Sequence, residues 1–200
     1  AYRYHSGGSE PFLGQALSAY DRGSYCLATK FSYDANPDYK AVFAEQREKL
    51  RTEYLDFYLL HAVGDGNMEK YLSCGCIDYF RQQKAEGKIR YLGFSAHASL
   101  ETLNKMLDQG QWDFVQIQLN YFDWVYGTAK AEYEAITARG IPVMVMESVR
   151  GGRLAKLSPE AEAMLKAAHP DWSIPAWAFR WLQRLPGVQV CLSGMSNLEQ

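Results

Sequence analysis

The sequence predicts an α/β fold, a (β/α)8 TIM barrel of parallel strands covered by helices, with about six of its eight strands represented. Three observations carry that prediction. Short apolar runs alternate with segments of helical spacing in β-then-α order, six times. The run IPVMVMES at 141–148 is nearly continuous in apolar residues, as in a parallel strand covered on both faces. Almost every run also finishes on a polar or small residue: Lys30, His61, Ser95, Gln116 with Asn120, Ser148 and Ser193. A barrel delivers one group per strand to its catalytic face, whereas an open doubly wound sheet binds at one switch point. Repeated right-handed βα units can build either form, and the dressed strand ends favour the closed one.

The elements follow in order. Residues 9–20 place Phe12, Leu13, Ala16, Leu17 and Tyr20 at helical spacing, and a turn at 21–24 leads into the strand YCLATKF. Residues 38–51 are helical, with Tyr39, Val42, Phe43 and Leu50 on one side, and LDFYLLH follows as a strand. One helix is expected from about Met68 to Ala85, stopping at Gly87, before the strand IRYLGFSA. Ser99 is an N-cap for the helix that follows, and Gly110 sits where a helix end favours a left-handed residue. FVQIQLNY is the next strand, then a helix over 129–139 ending at Gly140, then IPVMVMES. Ser158, Pro159 and Glu160 supply a cap, a first-turn proline and an acidic first turn. A last helix in WSIPAWAFRWLQRL precedes the strand VQVCLSG. Trp172, Trp177 and Trp181 within it are read as packing residues, and the aromatic segment NYFDWVYG at 120–127 as a candidate substrate wall.

Two hundred residues with 48% hydrophobic and 22% charged content fit one globular domain spanning 1–200. A net charge of −2 and the lack of any basic run give no electrostatic reason to expect nucleic acid or an anionic membrane. No stretch of ~18 apolar residues suggests a spanning helix. Cysteines stand at 26, 74, 76 and 191. The pair Cys74 and Cys76 lacks a second pair or histidines at ligand spacing, so no metal site is expected. Scattered thiols without a disulfide framework suit a reducing, cytoplasmic setting. G-x-G-x-x-G does not follow the first strand, and no G-K-[ST] occurs.

Tyr4, Lys30 and His61 are the candidate catalytic residues. A free phenol titrates near ~10, but an ammonium within hydrogen-bonding reach favours the phenolate and lowers that value. A neutral histidine can orient a carbonyl oxygen while the phenol protonates it as a hydride arrives at the carbon.

These residues lie in segments that resemble the aldo/keto reductase family. AYRYHSGGSE is similar to that family's D-T-A-x-x-Y segment with its S-E, from the alanine onward. The likeness continues in order through ATK, DFYLLH, GKIRYLGFSAH, WDFVQIQLNY, GIPVMVMESVRGG and VCLSGMSNLEQ, over nearly the whole chain. GFSAH and VMESVRGG look most like the branch whose longer members carry an iron–sulfur extension after the barrel. The resemblance implies reduction of an aldehyde or ketone to an alcohol by hydride transfer from NAD(P)H without a metal, with a small carbonyl substrate. It implies that Tyr4 is the acid, Lys30 its tuner and His61 the orienting group. It places Ser95 and Gln116 on the nicotinamide carboxamide, and Met146 where an aromatic often stacks on that ring. Val149, Arg150, Gly151 and Gly152, with Arg153, would follow the pyrophosphate. Gly194, Met195, Ser196 and Gln200 would approach the adenosine phosphate end.

Some positions depart from the family pattern. Ala96 stands where an asparagine is usual, which passes one carboxamide contact to His97 or loses it. NADP(H) is expected ahead of NAD(H), although Gly194 and Gln200 stand where many NADPH-preferring members carry basic residues. The family's catalytic aspartate would fall two residues before Ala1, and its first two strands before that, so the chain is expected to be an excerpt of a longer protein. A non-catalytic barrel that binds a nucleotide or a partner protein is the alternative, kept open by Ala96 and Met146.

Overall fold

A computed structural model of the chain describes residues 4–194. Its residues fall into two compact units, Ala1–Phe114 and Val115–Gln200.

In the first unit, strands β1 (Ala28–Phe31), β2 (Leu55–Val63) and β3 (Ile89–Ala96) lie parallel in sequence order, with Lys30 opposite Leu59 and Leu59 opposite Gly93. A 3-10 turn (Tyr4–Gly7) and helix α1 (Ser9–Leu17) precede them. Helix α2 (Tyr39–Lys49) starts at Asp38, whose carboxylate accepts the Ala41 N–H, and buries Val42, Phe43 and Gln46. The helical layer packs on the sheet through aromatic side chains: Phe80 meets Tyr58 at 4.8 Å and Phe31 at 5.5 Å between ring centroids, and Phe43 meets Tyr58 at 5.1 Å. Each such ring removes ~150–250 Å² from water, so this cluster dominates the unit's hydrophobic stabilisation.

The single helix expected from Met68 to Ala85 is two helices, α3 (Met68–Ser73) and α4 (Cys76–Ala85). Gly75, at φ 81°, turns the chain through the left-handed region between them, a conformation that ends α-helical hydrogen bonding. Helix α5 (Leu100–Leu107) begins at Ser99, whose hydroxyl accepts the Thr102 N–H as the sequence implied.

In the second unit, strands β4 (Phe114–Gln118), β5 (Val143–Met146) and β6 (Val188–Cys191) are parallel and in sequence order, with Gln116 opposite Met144 and Val145 opposite Cys191. The strand expected through Tyr121 stops at Gln118. Asn120 then caps a short helix α6 (Tyr121–Tyr126), its side-chain oxygen accepting the Asp123 N–H at 2.9 Å. Helices α7 (Ala129–Thr137), α8 (Pro159–Ala168) and α9 (Ile174–Leu182) complete the unit, the last two capped by Ser158 and Ser173. Trp181 packs on Trp124, and Trp172 lies between the His169 ring and the Arg180 guanidinium. Among the described residues no helix is long and apolar enough to cross a membrane.

Candidate functional site

Strand alternation aims Lys30. Thr29 and Phe31 are buried on the helix-packed face of β1, where Phe31 meets Tyr39, Tyr71 and Phe80. Lys30 therefore points to the opposite face, where its Nζ lies 5.6 Å from the Tyr4 ring centroid. Burial of Lys30 pushes its pKa below the ordinary lysine value, because an ammonium loses hydration there. His61 shares that face of β2 by its two-residue offset from Leu59, and its ring meets Tyr4 edge-on at 6.0 Å and 90°. Tyr4 remains 47% exposed, so a substrate can reach it. The structure thus brings together the three residues proposed from sequence for proton transfer.

Tyr4 is held from its C-terminal side. His5, Ser6 and Gly7 all take positive φ, at 52°, 56° and 85°, a tight left-handed turn that feeds α1. Helix α1 is then fastened to β1 by Glu10, which is 2% exposed. Its Oε1 accepts the Thr29 hydroxyl at 2.6 Å and the Gln46 amide at 2.9 Å. The same Gln46 amide donates to the Lys30 carbonyl at 2.9 Å, and Gln46 Oε1 accepts the Tyr58 hydroxyl at 2.8 Å. One buried network therefore links the helix behind Tyr4 to the backbone of Lys30.

The end of β2 is irregular at the histidine. Leu60 pairs with Phe94 and Val63 with Ala96, so β2 spends three steps where β3 spends two. Ala62 carries the extra residue at φ 51°. Three side chains hold this bulge: the Tyr71 hydroxyl donates to the His61 carbonyl at 2.7 Å, Ser95 Oγ accepts the Ala62 N–H at 2.8 Å, and Asn67 Nδ2 donates to the Ala62 carbonyl at 3.1 Å. Ser95 is 1% exposed, and its hydroxyl can also donate one hydrogen bond. Tyr71 and Asn67 escaped the sequence reading, because Tyr71 sits at helical spacing from Met68 and reads as an ordinary core aromatic.

The second unit contains a cavity of about 540 Å³ lined by Glu147, Ser148, Val149, Gly151, Gly152 and Gly194, among others. Gly151 and Gly152 take φ of 60° and 87°, and a Cβ on Gly152 would point into open space. Glu147 and Arg150 also take positive φ, at 59° and 51°. Glycine adopts these left-handed conformations without the Cβ penalty, so the wall of the cavity can turn sharply at 151 and 152.

Val149, Gly151, Gly152 and Gly194, which the family resemblance assigns to the cofactor, are among the residues lining this cavity. Arg150 instead ion-pairs with Asp123 at 3.1 Å and covers the Phe122 ring. Asp123 also accepts the side-chain amides of Gln118 and Asn120, each at 2.7 Å. Gln116 is buried, with its amide nitrogen 3.2 Å from the Met146 sulfur. Met195, Ser196 and Gln200 lie outside the described residues.

Comparison with known proteins identifies the family and the fold. The model of the Aldo/keto reductase family matches residues 1–200. The uncharacterized oxidoreductase YqkF of Bacillus subtilis (strain 168) is 24% identical, covering 98% of this chain and 72% of that protein. The thermostable aldo-keto reductase Tm1743, solved with the inhibitor epalrestat, superimposes with a TM-score of 0.79 at 20% identity over 99% of this chain and 71% of its own. An aldo/keto reductase from Klebsiella pneumoniae, solved with NADP and acetate, gives 0.75 at 22% identity over 99% of this chain and 69% of its own. The fold is therefore the (β/α)8 barrel of these proteins, represented here by six parallel strands alternating with helices.

Proposed function

The chain belongs to the aldo/keto reductase family, and on that premise we propose that it is an oxidoreductase reducing an aldehyde or ketone to an alcohol with NAD(P)H. The observation that carries this reading is the convergence of Lys30 and His61 on the Tyr4 ring, at 5.6 Å and 6.0 Å from its centroid.

The glycine loop of the second unit, with Val149, Gly151, Gly152 and Gly194, would hold the anionic part of the cofactor. Ser95 and Gln116 would be the hydrogen-bonding contacts to the nicotinamide carboxamide. Bound, the cofactor supplies a hydride to the carbonyl carbon. His61 hydrogen-bonds the carbonyl oxygen and fixes its direction. Tyr4 gives its phenolic proton to the oxygen as the alcohol forms, and the neighbouring Lys30 charge stabilises the phenolate left behind. The NADP complex of the Klebsiella pneumoniae protein supports a nicotinamide dinucleotide, with NADP(H) the first choice to test. All four cysteines are free thiols, which supports a reducing, cytoplasmic setting.

The test is direct. NADPH and NADH are titrated separately by fluorescence, and oxidation of the tighter-binding one is then followed with a simple aromatic aldehyde. Binding with turnover is expected. Binding without turnover would favour the non-catalytic barrel, and no binding of either at millimolar concentration would remove the reductase reading.

A further inference from the structure

We propose that Tyr71 and Asn67 are positioning residues that hold the bulge after His61 and so aim its imidazole at Tyr4. The inference rests on the reading of His61 as the group that orients the carbonyl.

His61 and Ala62 lie in the register shift between the Leu60 and Val63 pairings of β2, and Ala62 adopts φ 51°. A non-glycine residue in the left-handed region costs ~1–2 kcal/mol, so it persists only where neighbours over-determine it. The neighbours here are specific. Tyr71 is 1% exposed, and its oxygen accepts the Tyr33 N–H at 3.3 Å, which directs its own proton to the His61 carbonyl. Asn67 closes both sides of the turn, donating to the Ala62 carbonyl and accepting the Gly64 N–H at 2.9 Å. Its amide also reaches Asp34, at 3.3 Å, and the Asp34 carboxylate pairs with Lys70 on the same short helix as Tyr71. Helix α3 thus presents Tyr71 to the carbonyl of His61, and the loop before it presents Asn67 to the next peptide. Burial raises the Tyr71 pKa to about 12, so the phenol keeps its donor proton throughout the neutral range.

Neither residue need touch substrate or cofactor for its loss to matter. A reacting group misplaced by about 1 Å can lower the rate on the order of a hundredfold. Tyr71→Phe keeps the ring in the core and removes the hydroxyl that donates to the His61 carbonyl and accepts the longer bond from the Tyr33 N–H.

The experiment compares wild type, Tyr71→Phe, His61→Ala and the double variant in the full chain. Tyr71→Phe is expected to lower kcat about ten- to a hundredfold while leaving the NADPH Kd unchanged. In the His61→Ala background, Tyr71→Phe should cost no further activity, because both changes remove one function. An additive loss, or a loss matched by weaker NADPH binding, would reduce Tyr71 to a packing residue and overturn the proposal. A second readout is independent of turnover: the cross-relaxation between His61 and Tyr4 ring protons in the resting protein. It should vanish in Tyr71→Phe, and its persistence would sink the proposal. An inactive wild type would remove the functional reading alone, with the ring contact still deciding the positioning role. Should Tyr71→Phe fail to fold, Asn67→Ala is put through both measurements with the same expectations.

Discussion

The His61 ring meets the Tyr4 ring edge-on, with centroids 6.0 Å apart and planes at 90°. An edge-to-face pair contributes about 0.5–1.5 kcal/mol beyond its buried area and restricts the tilt of both rings. The two rings, proposed as acid and orienting group, therefore hold each other's direction. The Lys30 ammonium stands on the same phenol, from the neighbouring strand.

Removing the Tyr4 hydroxyl tests the acid alone. Tyr4→Phe preserves the ring that His61 packs against and deletes the proton. The expected outcome is a fall in kcat of about 10²–10⁴, the range for general acid catalysis, with NADPH affinity unchanged. Steady-state oxidation of NADPH and a fluorescence titration measure the two quantities, and a Tyr4→Phe variant within a factor of about two of wild type would remove Tyr4 from the mechanism.

Lys30 sets function against stability. Its folded-state pKa lies below the ~10.4 of a free lysine, so the folded chain releases this proton first as pH rises. Between the folded value and ~10.4 the unfolded chain holds more protons, and the Lys30 contribution to stability increases with pH. Below that window the buried ammonium destabilises the fold in full. Lys30→Met should therefore raise Tm at pH 7, on a scale of about 2–4 °C per kcal/mol, while lowering kcat. The Tm gain should shrink as the pH approaches 10. Thermal melts from pH 7 to 10 check this, and a Tm that falls at pH 7 would mean that the ammonium has a stabilising partner.

Gly152 tests the cofactor loop. It sits at φ 87°, and a Cβ there would meet no atom within 4 Å, so Gly152→Ala imposes backbone strain without a clash. The strain is ~1–2 kcal/mol, and if the loop relaxes away from the left-handed region, the backbone lining the cavity moves with it. NADPH affinity should fall about tenfold, equivalent to ~1.4 kcal/mol, with kcat restored at saturating cofactor. Calorimetric titration of both proteins decides it. An unchanged Kd would mean that this loop does not hold the phosphates.

The strand ends were legible because period-two alternation and polar termination are local properties of the sequence, so Lys30 and His61 could be placed at strand ends on one face from the sequence itself. The glycines at 151 and 152 were singled out through the family resemblance of the segment that carries them, and their left-handed conformations show why glycine suits those positions. What escaped depends on contacts distant in sequence. Nothing around Ala62 announces a bulge, because the groups that stabilise it come from residues 67, 71 and 95. The helix break at Gly75 was hidden by apolar spacing that continues on both sides of it. The partner of Arg150 was equally hidden, because Asp123 lies on helix α6, distant from it in sequence.

Asp56 shows the other end of β2 at work on stability. It is five residues before His61, ~16 Å along an extended strand, and is 2% exposed. Its Oδ2 accepts the Arg22 guanidinium at 2.7 Å and the Leu27 N–H at 2.8 Å, and its Oδ1 accepts Arg90 at 2.7 Å. Burial opposes ionisation of this carboxyl, but the Leu27 hydrogen bond, the Arg22 hydrogen bond and charge, and the Arg90 charge together outweigh it, and the pKa lies below the usual aspartate value. The folded chain thus binds the Asp56 proton less readily than the unfolded chain does. The stabilisation is fully present above the unfolded pKa of ~3.9 and is lost as pH falls through the folded value. Asp56→Ala strands partners that are themselves partly solvated, so its expected cost is about 3 kcal/mol, the lower end for a broken buried pair. Urea melts at pH 7 and pH 3 should show a wide gap between wild type and variant at neutral pH that narrows in acid. Because Asp56 lies far from the proton-transfer face, kcat per folded molecule should be unchanged. A gap independent of pH would mean that the carboxyl acts through packing rather than through its charge.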